Sequence, residues 1–562
     1  MSTVTHLLHQ NYVQAPDQVA LYLLDHHPSD AAATRITFGT LLQEAAGYAQ
    51  ALTQSDIQPG EVVVLVLQHG ADLVYSFCGA ILCGAIPSIM PFLTEKLSPE
   101  RYQEDMSALI KITRPAAIVT QPEFVPLVMG TLRAGDSVRV TLVTTDTRPA
   151  AELDFTVLHG LKRSADDIVL LQHSSGTTGL QKGVGLAHRA VLNQLQSYGQ
   201  ALCLSSSDTI VSWLPLYHDM GLIAGFIMPI LNRVPLVLMS PFDWVRAPYK
   251  LIQAVSQYHG TLTWLPNFAY NFCGQKIRDR DLESVDLSSW RAVINCSEPV
   301  RWDSHQIFLK RFQPYGLRPE ALTTCYAMAE NVFAVTQGRL DTPAIVDQVD
   351  QRAFITERRA IPSVQPGGTL TLLSSGRPIA NTRVCVLDDQ RHQLPDRHIG
   401  EIAILSDCML TGYYNRDDLT AKAFHEGRYL TGDLGYIADG EVYVIGRKKD
   451  LIIVGGKNIY PQDLEMLADQ VSGVHPGRVV AFGVVNPEIG TEDVIIVAEV
   501  ETDDPGERER IADQIRQRVT RGSDIALRYV ELVGPKWIIK TSSGKVARSA
   551  NRDKYLTEFQ KA

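Results

Sequence analysis

The chain has 562 residues, 45% hydrophobic and 20% charged, with a formal net charge of −10. That length allows several domains with sizeable cores. The acidic balance argues against bulk electrostatic binding to nucleic acid or an anionic membrane, since both favour a basic surface.

The opening residues, "MSTVTHLLHQNYVQAPDQ", carry neither the basic region nor the apolar core of a signal peptide. Eight cysteines are scattered between Cys78 and Cys408, with no C-x-x-C and no zinc-finger spacing. Reduced thiols and a cytoplasmic location are therefore expected. "EVVVLVL" (61–67) reads as a buried strand. The uncharged stretch Leu73–Leu93 has the length of a membrane span. Pro87 and Pro91 interrupt its second half, so a core helix followed by a strand is expected, with no integral membrane association.

Further apolar runs read as buried strands: "AAIVT", "RVTLVTT", "DIVLLQHSSG", "TIVSWLP", "VPLVLMS" and "AVINCSEP". "HRAVLNQLQSYGQAL" and "PYKLIQAVSQYHG" read as helices between them. This alternation predicts an α/β fold with two parallel-type sheets flanked by helices. From about residue 370 short strands and turns dominate, predicting a small β-rich subdomain over 370–448. After "GRKKD" a compact tail brings its own strands, "RVVAFGVV" and "DVIIVAEV", and the helix "ERERIADQIRQRVT". Domains of 1–448 and 449–562 are expected, the second a small α+β unit.

"HSSGTTGLQKGVGLAHR" runs from His173 to Arg189. Hydroxyls, glycine amides and one lysine in so short a space suit an anion such as phosphate. The common phosphate loop, G-x-x-x-x-G-K-[ST], does not fit, because Gln181 stands where its second glycine belongs. The stretch is either a different nucleotide grip or a polar turn. Six more loops follow in order: "WLPLYHDMG" (213–221), "NCSEP" (295–299), "CYAMAEN" (325–331), "TGDLGY" (431–436), "GRKKDLIIVGGKNIYPQDLE" (446–465) and "KTSSGKVAR" (540–548). In this order they resemble the core motifs of the adenylate-forming superfamily of acyl-CoA ligases, amino-acid-activating domains, luciferases and fatty acyl-AMP ligases. The resemblance covers about residues 10–555. "WLPLYHDMGLIAGF", "PNFAYNFC", "SEPVR" and "YPQDLE" look most like fatty acyl-AMP ligases. Between Glu330 and Gly376 the chain is longer than the wider superfamily needs. The surplus, residues 347–369, resembles the insertion typical of those ligases. The alternative is a variable surface loop.

The resemblance implies roles. Ser174, Ser175, Gly176, Thr177, Thr178, Gly179 and Lys182 would grip the triphosphate. There Gln181 replaces the family's frequent proline. Ser297, Glu298 and Pro299 would wall the adenine, and Tyr326 would stack on it. Next to Tyr326, Ala327 replaces the usual glycine. Asp433 would accept the ribose hydroxyls and Arg447 would add a second ribose contact. Glu330 would associate with Mg²⁺, for which one carboxylate beside phosphates is chemically enough. Lys545 would be the catalytic lysine, with Lys540 flanking it, and Lys449 would be the hinge. His218 would lie beside the acyl and phosphate sites. Trp264, Phe268, Tyr270 and Phe272 would line an acyl pocket, or else belong to the core.

The implied activity is ATP-dependent adenylation of a fatty acid, then acyl transfer to an acyl carrier protein in trans, with no organic prosthetic group. An acyl-CoA ligase of the same fold and a non-catalytic acyl-adenylate-binding protein are the alternatives.

Overall fold

The computed structural model describes residues 2–24, 33–93, 99–147, 149, 154, 158–174, 182–364, 368–454, 457–486, 491–523, 527–541 and 544–559. Two seven-stranded sheets form the larger part. One runs in the order Leu322–Thr324, Ala292–Asn295, Leu262–Leu265, Ile210–Ser212, Leu236–Met239, Val19–Leu24, Thr34–Thr37. The other runs Gly412–Tyr413, Lys182–Ala187, Ile168–Ser174, Ile86–Met90, Val62–Val66, Ala117–Thr120, Val140–Val143. The sheets are parallel where expected, but each carries antiparallel strands at one edge. The parallel strands are apolar on both faces, and Val62–Val66 is buried throughout. Such strands need helices on both sides of the sheet to exclude water.

The Leu73–Leu93 stretch divides as the prolines suggested. Helix Ala71–Cys83 ends at Gly84, whose φ of 87° is the left-handed cap that glycine adopts without steric cost. The strand Ile86–Met90 follows, fully buried. Among the described residues no helix is long and apolar enough to cross a membrane.

Beyond these sheets, Thr382–Leu387, Gly400–Ser406 and Arg428–Ala438 pair antiparallel in sequence order. Phe424–His425 and Glu441–Arg447 both pair with Arg428–Ala438. The 347–369 insertion is no loose loop. Val346–Asp350 pairs with Thr369–Leu373, and Val349, Phe354 and Ala360 are buried against Tyr436, Tyr443 and Tyr460. Asp347 accepts hydrogen bonds from Arg397 and from the Tyr436 hydroxyl, each at 2.9 Å.

The C-terminal segment has its own core, drawn from residues between Ile452 and Val530. It packs helices Pro461–Asp469 and Pro505–Ser523 on a sheet of Val474–Asn486, Thr491–Val500 and Tyr529–Val533. Arg301 reaches across to this segment, meeting the Gln462 carbonyl at 3.2 Å and Asp463 at 3.3 Å.

Candidate active site

The described ends of the glycine- and hydroxyl-rich stretch lie on two paired strands. Ile168–Ser174 and Lys182–Ala187 are antiparallel, with Ser174 opposite Lys182 and His173 opposite Gly183. This differs from the strand–loop–helix of a Walker loop and explains why that spacing failed. Ser175, Gly176, Thr177, Thr178 and Gly179 lie outside the described residues, as does the Ser174 side chain. Behind the hairpin end, Ser88 Oγ sits 2.6 Å from His173 Nε2. Burial pushes the His173 imidazole down to about 4, so this anchor is neutral.

Lys182 starts the second hairpin strand, and its ammonium lies 4.7 Å above the ring centroid of Tyr413. The Tyr413 hydroxyl donates to Glu330 Oε1 at 2.9 Å. Glu330 is buried, and burial raises its carboxyl above the ordinary value, while Tyr413 acts in the opposite sense. One carboxylate near a lysine suits Mg²⁺, which keeps waters and takes other ligands from substrate phosphates. No group of three or more His, Cys, Asp or Glu able to hold a metal occurs among the described residues.

Asp433 and Arg447 face each other across adjacent strands, their side chains 3.3 Å apart. The Tyr326 hydroxyl donates to the other Asp433 oxygen at 2.6 Å. Burial, and then Asp433, push that phenol far up, so it stays protonated and donates. Ser297 has a left-handed backbone, φ 68°. Glu298 accepts from the Phe268 amide at 2.9 Å, tying the loop that ends in Pro299 to the start of helix Asn267–Lys276.

His218 and Asp219 pair at 2.6 Å, just before a π-helical segment, Met220–Ile227. Asp219 Oδ1 also accepts from the Met220 amide at 2.8 Å. Burial works to raise the Asp219 carboxyl. The neighbouring His218 and the charge of Lys545 outweigh it and hold the carboxyl below its ordinary value. The same Asp219 charge is felt by Glu330.

Lys545 stands on a tight turn, where the Thr541 amide donates to its carbonyl at 2.7 Å. Three residues on, Arg548 grips Glu465 and meets Asp450 at 3.0 Å. That contact links the Lys545 turn to the residue after Lys449. Lys540 instead faces Asp469 and Gly477 within the C-terminal segment. Lys449 lies in the short turn Lys448–Asp450, within reach of the charges of Arg447 and Lys182.

The four aromatic residues, read as an acyl pocket or else as core, divide into two pairs. Trp264 is 1% exposed and donates from Nε1 to the Tyr198 hydroxyl at 2.7 Å. Tyr270 is 0% exposed, donates to the Val293 carbonyl at 2.9 Å and stacks on His305. Both are committed to the core. Phe268 and Phe272 instead pack with Trp213 and Trp244, whose rings stack 3.6 Å apart. Phe268 is 38% exposed. Four residues had escaped the sequence reading, and Trp244 among them stood in no motif. Asp219 stood inside a quoted motif, next to His218. Trp213 stood in the same motif. Tyr413 had no signal, because only folding brings it to Glu330.

Residues 8–414 match the AMP-binding enzyme family. A medium-chain-fatty-acid–[acyl-carrier-protein] ligase, JamA of Moorena producens, is 31% identical over 90% of this chain and 87% of its own length. A long-chain-fatty-acid–AMP ligase, FadD26 of Mycobacterium marinum, is 28% identical over 99% of this chain and 97% of its own. A structure from a study of fatty acyl-adenylate ligases of E. coli and L. pneumophila superimposes with a TM-score of 0.89 at 26% identity. It covers 100% of this chain and 98% of that one.

Proposed function

This chain belongs to the AMP-binding enzyme family, and we propose that it is a fatty acyl-AMP ligase. A fatty acid carboxylate attacks the α-phosphorus of ATP; the P–O bond to the β-phosphate breaks and pyrophosphate leaves. The acyl-AMP then passes its acyl group to the phosphopantetheine thiol of a separate acyl carrier protein, releasing AMP. The observation that carries this reading is the cluster in which the Tyr413 ring lies under the Lys182 ammonium while its hydroxyl bonds Glu330.

Each residue has a task in that reaction. Lys182 and the loop before it hold the β- and γ-phosphates. Asp433 accepts from the ribose hydroxyls, braced by Arg447. Ser297, Glu298, Pro299 and Tyr326 border the adenine. Lys545 reaches the carboxylate and the α-phosphate, where negative charge gathers in the transition state. A fixed cation is most effective there because water is largely excluded. His218 and Asp219 orient that end of the site. Glu330 would hold Mg²⁺ with the triphosphate, and a bound ion would offset charge on the phosphate oxygens. Phe268 and Phe272, packed on the buried Trp213 and Trp244, border the acyl chain, which binds by apolar burial.

Lys449 is the hinge between 1–448 and 449–562 in this reading. The separate core of residues 452–530 supports that division. The printed name of the Moorena relative supports a carrier protein as acceptor. The test offers the enzyme ATP, Mg²⁺ and a fatty acid with either a phosphopantetheinylated carrier protein or free CoA. Acylation of the carrier and not of CoA is expected. Acyl-CoA as the main product would overturn the acceptor assignment.

A further inference from the structure

We propose that Tyr413 is a positioning residue that holds Glu330 and Lys182 as a prebuilt pair for a divalent cation bound with ATP. This rests on the adenylation reading above.

The backbone sets the arrangement first. Tyr413 lies opposite Val184, and Gly412 opposite Gly185, on the edge of the strand that starts with Lys182. The Thr411 amide donates to the Gly185 carbonyl at 2.9 Å, and the Tyr414 amide to the Gly183 carbonyl at 2.8 Å. The two backbones run close: a Cβ added at Gly185 would sit 3.3 Å from the Gly412 carbonyl oxygen. At the other end the Leu410 amide donates to the carbonyl of Glu330 itself, at 2.8 Å. Residues 410–414 are therefore stitched to the lysine strand and to the carboxylate's own backbone.

The Tyr413 side chain repeats that bridge. Its ring lies under the Lys182 ammonium and its hydroxyl bonds Glu330 Oε1. An ionised carboxylate can only accept, so the Tyr413 hydroxyl spends its one proton on Glu330. The Tyr429 hydroxyl, 2.8 Å away, must then donate to Tyr413. The result is a directed chain, Tyr429 to Tyr413 to Glu330, within a buried region. Two hydrogen bonds and the strand register hold the phenol, so the carboxylate's orientation is set before substrate arrives. Groups that orient a metal's ligand in this way shift metal affinity without touching the ion. A ring placed under an ammonium steadies that cation in the same sense.

Three variants of the full chain separate positioning from packing. Tyr413→Phe keeps the ring under Lys182 and deletes the hydroxyl on Glu330. Tyr413→Leu deletes both. Tyr429→Phe leaves both and removes only the bond that fixes the hydroxyl. The readouts are Mn²⁺ binding with a non-hydrolysable ATP analogue, by electron paramagnetic resonance, and metal-free binding of the analogue, by calorimetry. Tyr413→Phe is expected to weaken Mn²⁺ binding about tenfold and to leave metal-free nucleotide binding unchanged. Tyr429→Phe should move the first quantity the same way by less. Tyr413→Leu should weaken both. A folded Tyr413→Phe protein with unaltered Mn²⁺ binding would overturn the proposal. If that variant fails to fold, an unaltered Tyr429→Phe protein would overturn it. If the wild-type chain binds Mn²⁺ with the analogue but forms no acyl-AMP, the adenylation reading fails, while the variant series still decides the role of Tyr413.

Discussion

The two lysines of the site reach it by opposite routes. Lys182 stands on a sheet strand paired on both edges, over a phenol that also holds Glu330. Lys545 stands on a turn of the C-terminal segment, where its charge acts on Asp219, but it belongs to a part of the chain with its own core. The first cation is built in by the register of a buried sheet. The second stands on a segment held through Arg548 to Glu465 and Asp450 and through Arg301 to Gln462 and Asp463. The difference teaches where binding and acceleration reside. A cation fixed in the large core suits the ground-state grip of a triphosphate. On the proposed hinge at Lys449, a cation that arrives with the C-terminal segment would suit a step that has to be switched on, and then off when a carrier thiol needs access.

The largest expected effect would break the comparison on the C-terminal side. Lys545→Ala should slow acyl-AMP formation by about 10²- to 10³-fold, as loss of one transition-state donor does. ATP affinity should change little, because Lys182, Glu330 and Asp433 remain. Single-turnover kinetics with calorimetric ATP binding checks both halves, and loss of ATP binding itself would erase the distinction drawn between the lysines. On the fixed side, Asp433→Asn should weaken AMP binding by about 1–3 kcal/mol, since an amide cannot accept at both atoms and leaves Arg447 poorly paired. Titration calorimetry with AMP measures it, and unchanged affinity would remove Asp433 from the nucleotide site.

The aromatic residues sharpen the line between scaffold and pocket. Trp264→Phe should cost about 1–3 kcal/mol of stability by deleting the donor to Tyr198, with the fatty-acid KM unaltered. Phe268→Ala should raise that KM with little stability cost. Denaturant melts and KM measurements with a series of fatty acids check the pair, and the reverse pattern would restore Trp264 to the pocket. A further expected effect concerns pH. His305, stacked on Tyr270, is buried, and burial pushes its imidazole down to about 3. A base depressed on folding binds its proton more readily in the unfolded chain. Stability should therefore be full above the ordinary value of about 6.5 and fall as pH drops below it. The slope approaches about 1.4 kcal/mol per pH unit for this one group. His305→Phe should flatten the curve between pH 6 and about pH 4, as urea melts across that range would record. An unchanged slope would mean that His305 is not held neutral in the core.

Much of this was legible in the sequence because the relevant signals are local. Strands such as Val62–Val66 are apolar on both faces, so their burial is written in consecutive letters. The Leu73–Leu93 stretch could be divided because its prolines mark where the helix cannot continue. The loops carrying Lys182, Glu330, Asp433 and Lys545 stood out as ordered motifs. Relations across the fold were not legible. Composition tells that Trp264 and Phe268 are aromatic, not that one faces the core and the other is partly exposed. Tyr413 lies 83 positions from Glu330, and no periodicity predicts a hydrogen bond over that span. The antiparallel edges of the sheets escaped for the same reason, since an apolar run does not declare its direction. The 347–369 insertion was visible as extra length, but its packing against Tyr460 is a tertiary fact.

One reaction tests the account most directly: the full chain with ATP, Mg²⁺, a mixture of C6 to C16 fatty acids and free CoA, analysed by mass spectrometry. The account predicts acyl-AMP and pyrophosphate accumulating together without acyl-CoA, and the favoured chain length would identify the acid the aromatic cluster accepts. Abundant acyl-CoA would contradict the ligase assignment, and the absence of any acyl-AMP would contradict the adenylation chemistry itself.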